Sequence, residues 1–196
     1  MTRRRHSDDV RVRLLEAGIA AFRDNGFHGT GIKAILDRVG IPKGSFYNYF
    51  ESKDAFAVAA IEHYARCMGD KLGAALADAP SSIEGVRTFF RGELDAFVKA
   101  DFVGGCLVAN LGAELEGSDP CRTALAAALG SYVGGISTAI ARAQEQGGVR
   151  SDIAADVLGP LLVDAWEGAV IRMKIERSPA PLEQCLEQVL DGFFRP

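Results

Sequence analysis

The sequence predicts an all-α protein, with an N-terminal three-helix helix-turn-helix domain followed by a larger helical bundle that ends in a two-helix dimerisation face. Three observations carry the prediction. Apolar residues recur at three- and four-residue spacing along nearly the whole chain. Gly and Pro clusters interrupt that pattern at helix-length intervals. No stretch of alternating residues is flanked by hairpin turn chemistry, so no strand is expected. The chain has 196 residues, 48% of them hydrophobic and 24% charged, which suits one or two packed domains rather than a disordered segment.

The first element follows from Val10, Leu14, Ala17, Gly18, Ala21 and Phe22, which share one helical face over residues 8–25. Ser7 is placed to cap it, Asp8 and Asp9 suit its positive end, and Gly26 closes it. Thr30 is read as the cap of a second helix carrying Ile32, Ile35, Leu36 and Val39, which Gly40 stops. A short third helix runs over residues 42–50, with Pro42 in its first turn. Ser52 caps a long fourth helix that reaches about Leu76. Ser81 and Glu84 have capping-box spacing and open a helix bearing Phe89, Phe90, Leu94, Phe97 and Val98. Gly104-Gly105 breaks the chain before a short helix from Cys106 to Leu115. Ser118-Asp119-Pro120 starts the next, which Gly147-Gly148 ends. Asp152 is read as the cap of a helix reaching about Arg177. Ser178-Pro179-Ala180-Pro181 separates it from a last helix ending near Phe194, making nine in all.

Charge is divided along the chain. Residues 1–54 hold ten Lys/Arg against seven Asp/Glu, and the remainder holds 12 against 19, within an overall −4. A basic head on an acidic body fits one module on nucleic acid and another that stays off it. No unbroken apolar run reaches the roughly 18–20 residues of a membrane span, and the basic, polar N-terminus is not a secretory signal. A cytoplasmic protein with no membrane partner is expected. The four cysteines, Cys67, Cys106, Cys121 and Cys185, are widely spaced, with no C-x-x-C and no metal-ligand pattern. The three histidines form no H-x-x-x-H pair. Reduced thiols, no metal site and no cofactor are therefore expected.

Function is concentrated in residues 30–50. A helix, a tight turn at Val39-Gly40-Ile41 and a short second helix form a helix-turn-helix, whose second helix would enter the major groove. Phe46 and Phe50, at i and i+4, would pack inward. Lys43, Gly44, Ser45, Tyr47 and Asn48 lie on the opposite face, where the bare Gly44 lets backbone approach the duplex. Arg3 to Arg5 suit either a minor-groove arm or a solvated tail.

These residues also carry a family resemblance. Gly26-Phe27, Thr30, Ile35, Val39-Gly40-Ile41, Lys43 to Phe50 and Ser52-Lys53 together resemble the signature of the TetR family. The match covers about Leu14 to Phe56. The resemblance implies a homodimeric repressor with a DNA-binding domain over 1–54 and an effector-sensing and dimerisation domain over 55–196. It implies phosphate contacts from Thr30, Lys43, Tyr47 and Lys53, base contacts from Ser45 and Asn48, and Tyr49 at the groove edge, on a palindromic double-stranded operator. Gly31 and Pro42 depart from the family pattern.

The last two long helices have heavy apolar faces. The resemblance implies that they pair with their symmetry mates, giving Leu158, Leu162, Trp166, Leu186, Val189 and Phe193 as dimer-interface residues. Ordinary core burial is the other reading of each. Phe89, Phe90, Phe97, Phe102, Tyr64 and Tyr132 are either core or the wall of an effector cavity.

Cys106 follows two glycines and opens a helix, where dipole and N–H groups favour thiolate. A buried small hydrophobe is the alternative. Gly105-Cys106-Leu107, Leu111, Ala113-Glu114, Lys174-Ile175 and Pro181-Leu182-Glu183 resemble the TetR branch that represses N-ethylmaleimide reductase. That branch implies Cys106 as a sensor of electrophiles or oxidants, with Lys174 as its cationic partner or as the trap of a sulfenic acid. A regulator answering a non-covalent small molecule is the second reading. A helical enzyme is the third, and it lacks a nucleophile elbow, a Walker motif or a dinucleotide fingerprint. No catalytic residue is assigned.

Overall fold

The computed structural model describes residues 2–196, with the side chains of residues 2–8 and Lys43 outside the description. The Ser7 cap, the Arg3–Arg5 arm and the Lys43 contact therefore lie outside the described residues. The described residues form helices joined by turns, without a strand. The elements are α1 (Thr2–Gly29), α2 (Ile32–Val39), a 3-10 helix (Lys43–Asn48), α3 (Lys53–Ala77), α4 (Ser82–Lys99), α5 (Leu107–Gly112), α6 (Asp119–Glu145), α7 (Ala155–Glu176) and α8 (Ala180–Cys185). α8 continues as wider turns through residues 186–193, where Phe194 N–H reaches back five residues to the Val189 carbonyl at 2.9 Å.

Several expected boundaries hold for the expected reasons. Gly26 breaks the α1 ladder with φ 71°. Gly40 caps α2 in the left-handed region and donates its N–H to the Leu36 carbonyl. Ser52 Oγ accepts the Ala55 N–H at 3.0 Å, and Ser81 Oγ accepts that of Glu84 at 3.4 Å. Two expected caps are corrected. Asp152 does not cap α7, because its carboxylate chelates Arg150 at 2.7 and 2.6 Å; Ala154 precedes the helix instead. Thr30 does not cap α2, which starts after Gly31 with no side-chain cap. α6 is long and apolar enough to cross a membrane by length and composition. Its apolar residues are interrupted by Thr123, Ser131, Ser137 and Thr138, so it contains no unbroken apolar run of that length.

The chain forms two compact units. The first comprises residues 1–65 and 106–128, the second 66–105 and 129–196. These units cut across the division at residue 54 inferred from sequence, because α5 packs with the N-terminal helices.

In the first unit, Phe22, Phe46, Phe50 and Phe56 form an aromatic cluster with ring centroids 4.8–5.8 Å apart. Offset rings at such distances add attraction beyond their buried area. Leu14, Ile35 and Leu36 surround this cluster, and Leu107, Leu111 and Leu115 of the α5 segment are buried in the same core. In the second unit, Phe90 and Trp166 lie 4.7 Å apart at the centre of a core completed by Ile140, Leu158, Leu162 and Leu186. Arg87 of α4 pairs with Glu84 and with Asp191 of the last helix.

Candidate nucleic-acid interface

The helix-turn-helix is built from behind. α2 buries Ile35, Leu36 and Val39, and the Arg13 guanidinium donates to the Val39 carbonyl at 3.0 Å, satisfying the end of that helix. The segment after Pro42 is expected as an α-helix but folds as a 3-10 helix. Ser45 N–H bonds to the Pro42 carbonyl and Tyr49 N–H to that of Phe46, both at 2.9 Å. Six residues beginning beside Pro42 and containing Gly44 are too short and too weakly helix-forming to nucleate α-helix, so the tighter turn results. Phe46 is fully buried and Phe50 5% exposed, so both anchor the segment as their spacing predicts.

Gly44, Tyr47 and Asn48 lie exposed, and Tyr47 is 63% exposed. A phenol that far out of a core, held edge-on to Phe46 at 5.5 Å, offers its hydroxyl to solvent or to a ligand. Ser45 and Tyr49 are half-buried at the margins.

One expected contact is corrected, and a second residue is given a partner within the fold. Thr30 is 3% exposed, and its hydroxyl donates toward the carbonyls of Ala21 at 3.0 Å and Gly26 at 2.7 Å. Its side chain serves the α1 terminus and does not face a phosphate. Lys53 is half-buried; its ammonium donates to the Phe27 carbonyl at 2.6 Å and lies 4.1 Å over the Phe27 ring. Desolvation lowers its pKa, against the opposing pull of Asp54 and Glu114. It clamps the α1–α2 turn. One residue was missed: Arg11 is exposed and stacks on the Phe50 ring at 5.2 Å, which sets a cation beside the recognition segment. No local spacing announces that pairing, because it joins α1 to a residue 39 positions away.

The expected dimer residues are divided by the fold. Leu158 and Leu162 are fully buried, Trp166 is 3% and Leu186 5% exposed. They belong to the protomer's own core, which corrects their assignment to an interface. Val189 is half-buried and Phe193 exposed. Apolar side chains open to solvent lie elsewhere on α7: Val157, Leu161, Ile171 and Ile175 at helical spacing. α7 carries apolar residues on two adjoining faces, and periodicity alone does not say which face meets its own core. Phe89, Phe90 and Phe97 are core residues.

The cysteines are separated by burial. Cys121 and Cys185 are buried, and desolvation raises both thiols, Cys185 to about 11. A raised thiol pKa leaves little thiolate at neutral pH and a poor nucleophile. Cys106 is half-buried at the N-cap of α5, and Cys67 is exposed on α3. Lys174 is exposed in the last turn of α7.

This geometry, a helix-turn-helix with an exposed polar reading face, defines a DNA-binding transcriptional regulator. Residues 14–60 match the bacterial regulatory proteins of the tetR family, and residues 82–189 match the tetracyclin repressor-like C-terminal domain. The chain belongs to the TetR family and is a transcriptional regulator, not an enzyme. It is 36% identical to the transcriptional repressor DhaR of Mycobacterium sp. strain GP1, over 94% of this chain and 92% of that protein. Among solved structures, the regulatory protein TetR of Rhodobacter sphaeroides is 31% identical with a TM-score of 0.86, covering 92% of this chain and 96% of that one. The reduced form of Escherichia coli NemR is 30% identical with a TM-score of 0.84, covering 92% and 95%.

Proposed function

We propose that the protein is a cytoplasmic homodimeric repressor that places the residue 42–50 segment of each protomer in the major groove of a palindromic operator. An effector then releases it. One observation carries this reading: the buried Phe46 and Phe50 leave Gly44, Tyr47 and Asn48 outward on one short element. In this reading Tyr47 and Lys43 hold phosphates, Ser45 and Asn48 read base edges, Tyr49 sits at the groove margin, and Arg11 adds a backbone contact. Function divides near residue 54, with sensing and dimerisation in 55–196. The dimer is formed through the outer apolar stripe of α7 with Phe193, which matches a two-fold operator. The repressor names of DhaR and NemR support the direction of control.

The effector is proposed to be an electrophile or oxidant that reacts with Cys106. The burial of Cys121 and Cys185 supports this choice, as does the likeness to a relative whose structure is described by its redox state. With an electron-poor alkene, the Cys106 thiolate sulfur bonds the alkene carbon β to the activating carbonyl. The π pair moves to the adjacent carbon and takes a proton from solvent, so nothing leaves. The test is an operator mobility shift at fixed salt, with N-ethylmaleimide as probe and adducts mapped by mass spectrometry. Wild type is expected to release DNA as Cys106 is modified, and Cys106→Ser to stay bound. Release of Cys106→Ser at wild-type probe concentrations would place the effector site elsewhere.

A further inference from the structure

The loop after α5 grips the helix-turn-helix at both ends. Glu114 Oε2 accepts the His28 backbone N–H at 3.0 Å, and the Glu114 carbonyl lies 3.2 Å from His28 Nε2. Four residues later, Ser118 Oγ donates to Asp54 Oδ2 at 3.0 Å. The first bond seizes the turn between α1 and α2, and the second the start of α3. Gly26 is shaped for the first: its φ is +71°, and a Cβ there would fall 2.3 Å from Glu114 Oε1. That carboxylate therefore lies flat on bare backbone.

Leu107, Leu111 and Leu115, all buried, add an apolar seat for the α5 segment. Apolar burial is non-directional and tolerates small rotations, whereas a carboxylate bonded to a backbone N–H is short-ranged and directional. The Glu114 carboxylate thus adds a directional bond that ties the register of α5 to the α1–α2 turn. Cys106 stands at the other end of the same six-residue helix, a span of about 9 Å at 1.5 Å per residue. A helix that short moves as one piece.

We propose that Glu114 is the positioning residue through which α5 and the DNA-reading segment sense each other. The proposal rests on the repressor reading above. Linkage makes any such coupling reciprocal, so operator binding must in turn be felt in α5. That consequence needs no effector and separates this proposal from the Cys106 assignment.

The test is amide hydrogen exchange of the full-length protein, with and without a duplex selected by the wild type from its source genome. Wild type is expected to slow exchange at residues 42–50 and also, by about fivefold or more, at residues 107–115. Glu114→Ala is expected to keep the first protection and lose the second. Glu114→Gln, whose amide oxygen still accepts the His28 N–H, is expected to keep both. If Glu114→Ala does not fold, Glu114→Asp, one methylene short of the bond, is expected to show the same selective loss. Protection at 42–50 with an unchanged 107–115 segment in wild type, or wild-type protection of 107–115 in the Ala or Asp variant, overturns the proposal. Absence of protection at 42–50 in wild type is instead the failure of the repressor reading.

Discussion

Phe46→Ala is expected to destabilise the first unit by about 3–5 kcal/mol and to abolish operator binding with it. The phenyl is fully buried, with Phe50 and Phe56 rings 5.6 and 5.5 Å away. Removing it opens a cavity that the 3-10 helix cannot collapse to fill, because Pro42 limits the backbone on one side and the packed Phe50 on the other. A loss of that size is a large part of the roughly 5–15 kcal/mol that holds a typical domain together. Denaturant unfolding checks it, as a lower midpoint at unchanged slope. A cost below about 1 kcal/mol would mean that the ring is solvated and that the inward and outward faces of this segment are reversed.

Trp166→Ala and Ile171→Glu are expected to fail in opposite ways. Trp166 is 3% exposed and 4.7 Å from the Phe90 ring. Its removal is expected to cost about 3–5 kcal/mol, whatever the protein concentration. Ile171 is 58% exposed in the protomer, so a carboxylate there is expected to change protomer stability by no more than about 0.5 kcal/mol. Buried unpaired between two copies, the same charge is strongly disfavoured. Sedimentation is therefore expected to show a dimer for wild type and a monomer for Ile171→Glu. The reverse pattern, with Trp166→Ala folded but monomeric and Ile171→Glu dimeric, would return the interface to the inner face of α7.

The contrast between α7 and the recognition segment shows what the sequence makes legible. Phe46 and Phe50 stand four apart among small and polar residues, so only one face of that segment can be buried. On α7, Leu158 and Leu162 sit beside Val157 and Leu161, and the choice between adjoining apolar stripes depends on where α6 and α4 lie. Thr30 and Asp152 show a second limit. Each has the chemistry of a cap, but carbonyls of α1 claim the Thr30 hydroxyl and Arg150 claims the Asp152 carboxylate. A polar side chain near a helix start has several local partners, and composition does not rank them. The Glu114 contact was beyond reach altogether, because it joins residues 86 positions apart.

In the proposed repressor, the outward side of the residue 42–50 segment reads bases. Asn48→Ala tests it most directly, by selecting bound duplexes with wild type and variant at the same salt. Preference is expected to relax at a single base pair in each half-site, by about 1–3 kcal/mol, while the rest of the operator stays as before. Identical preferences at every position would contradict it.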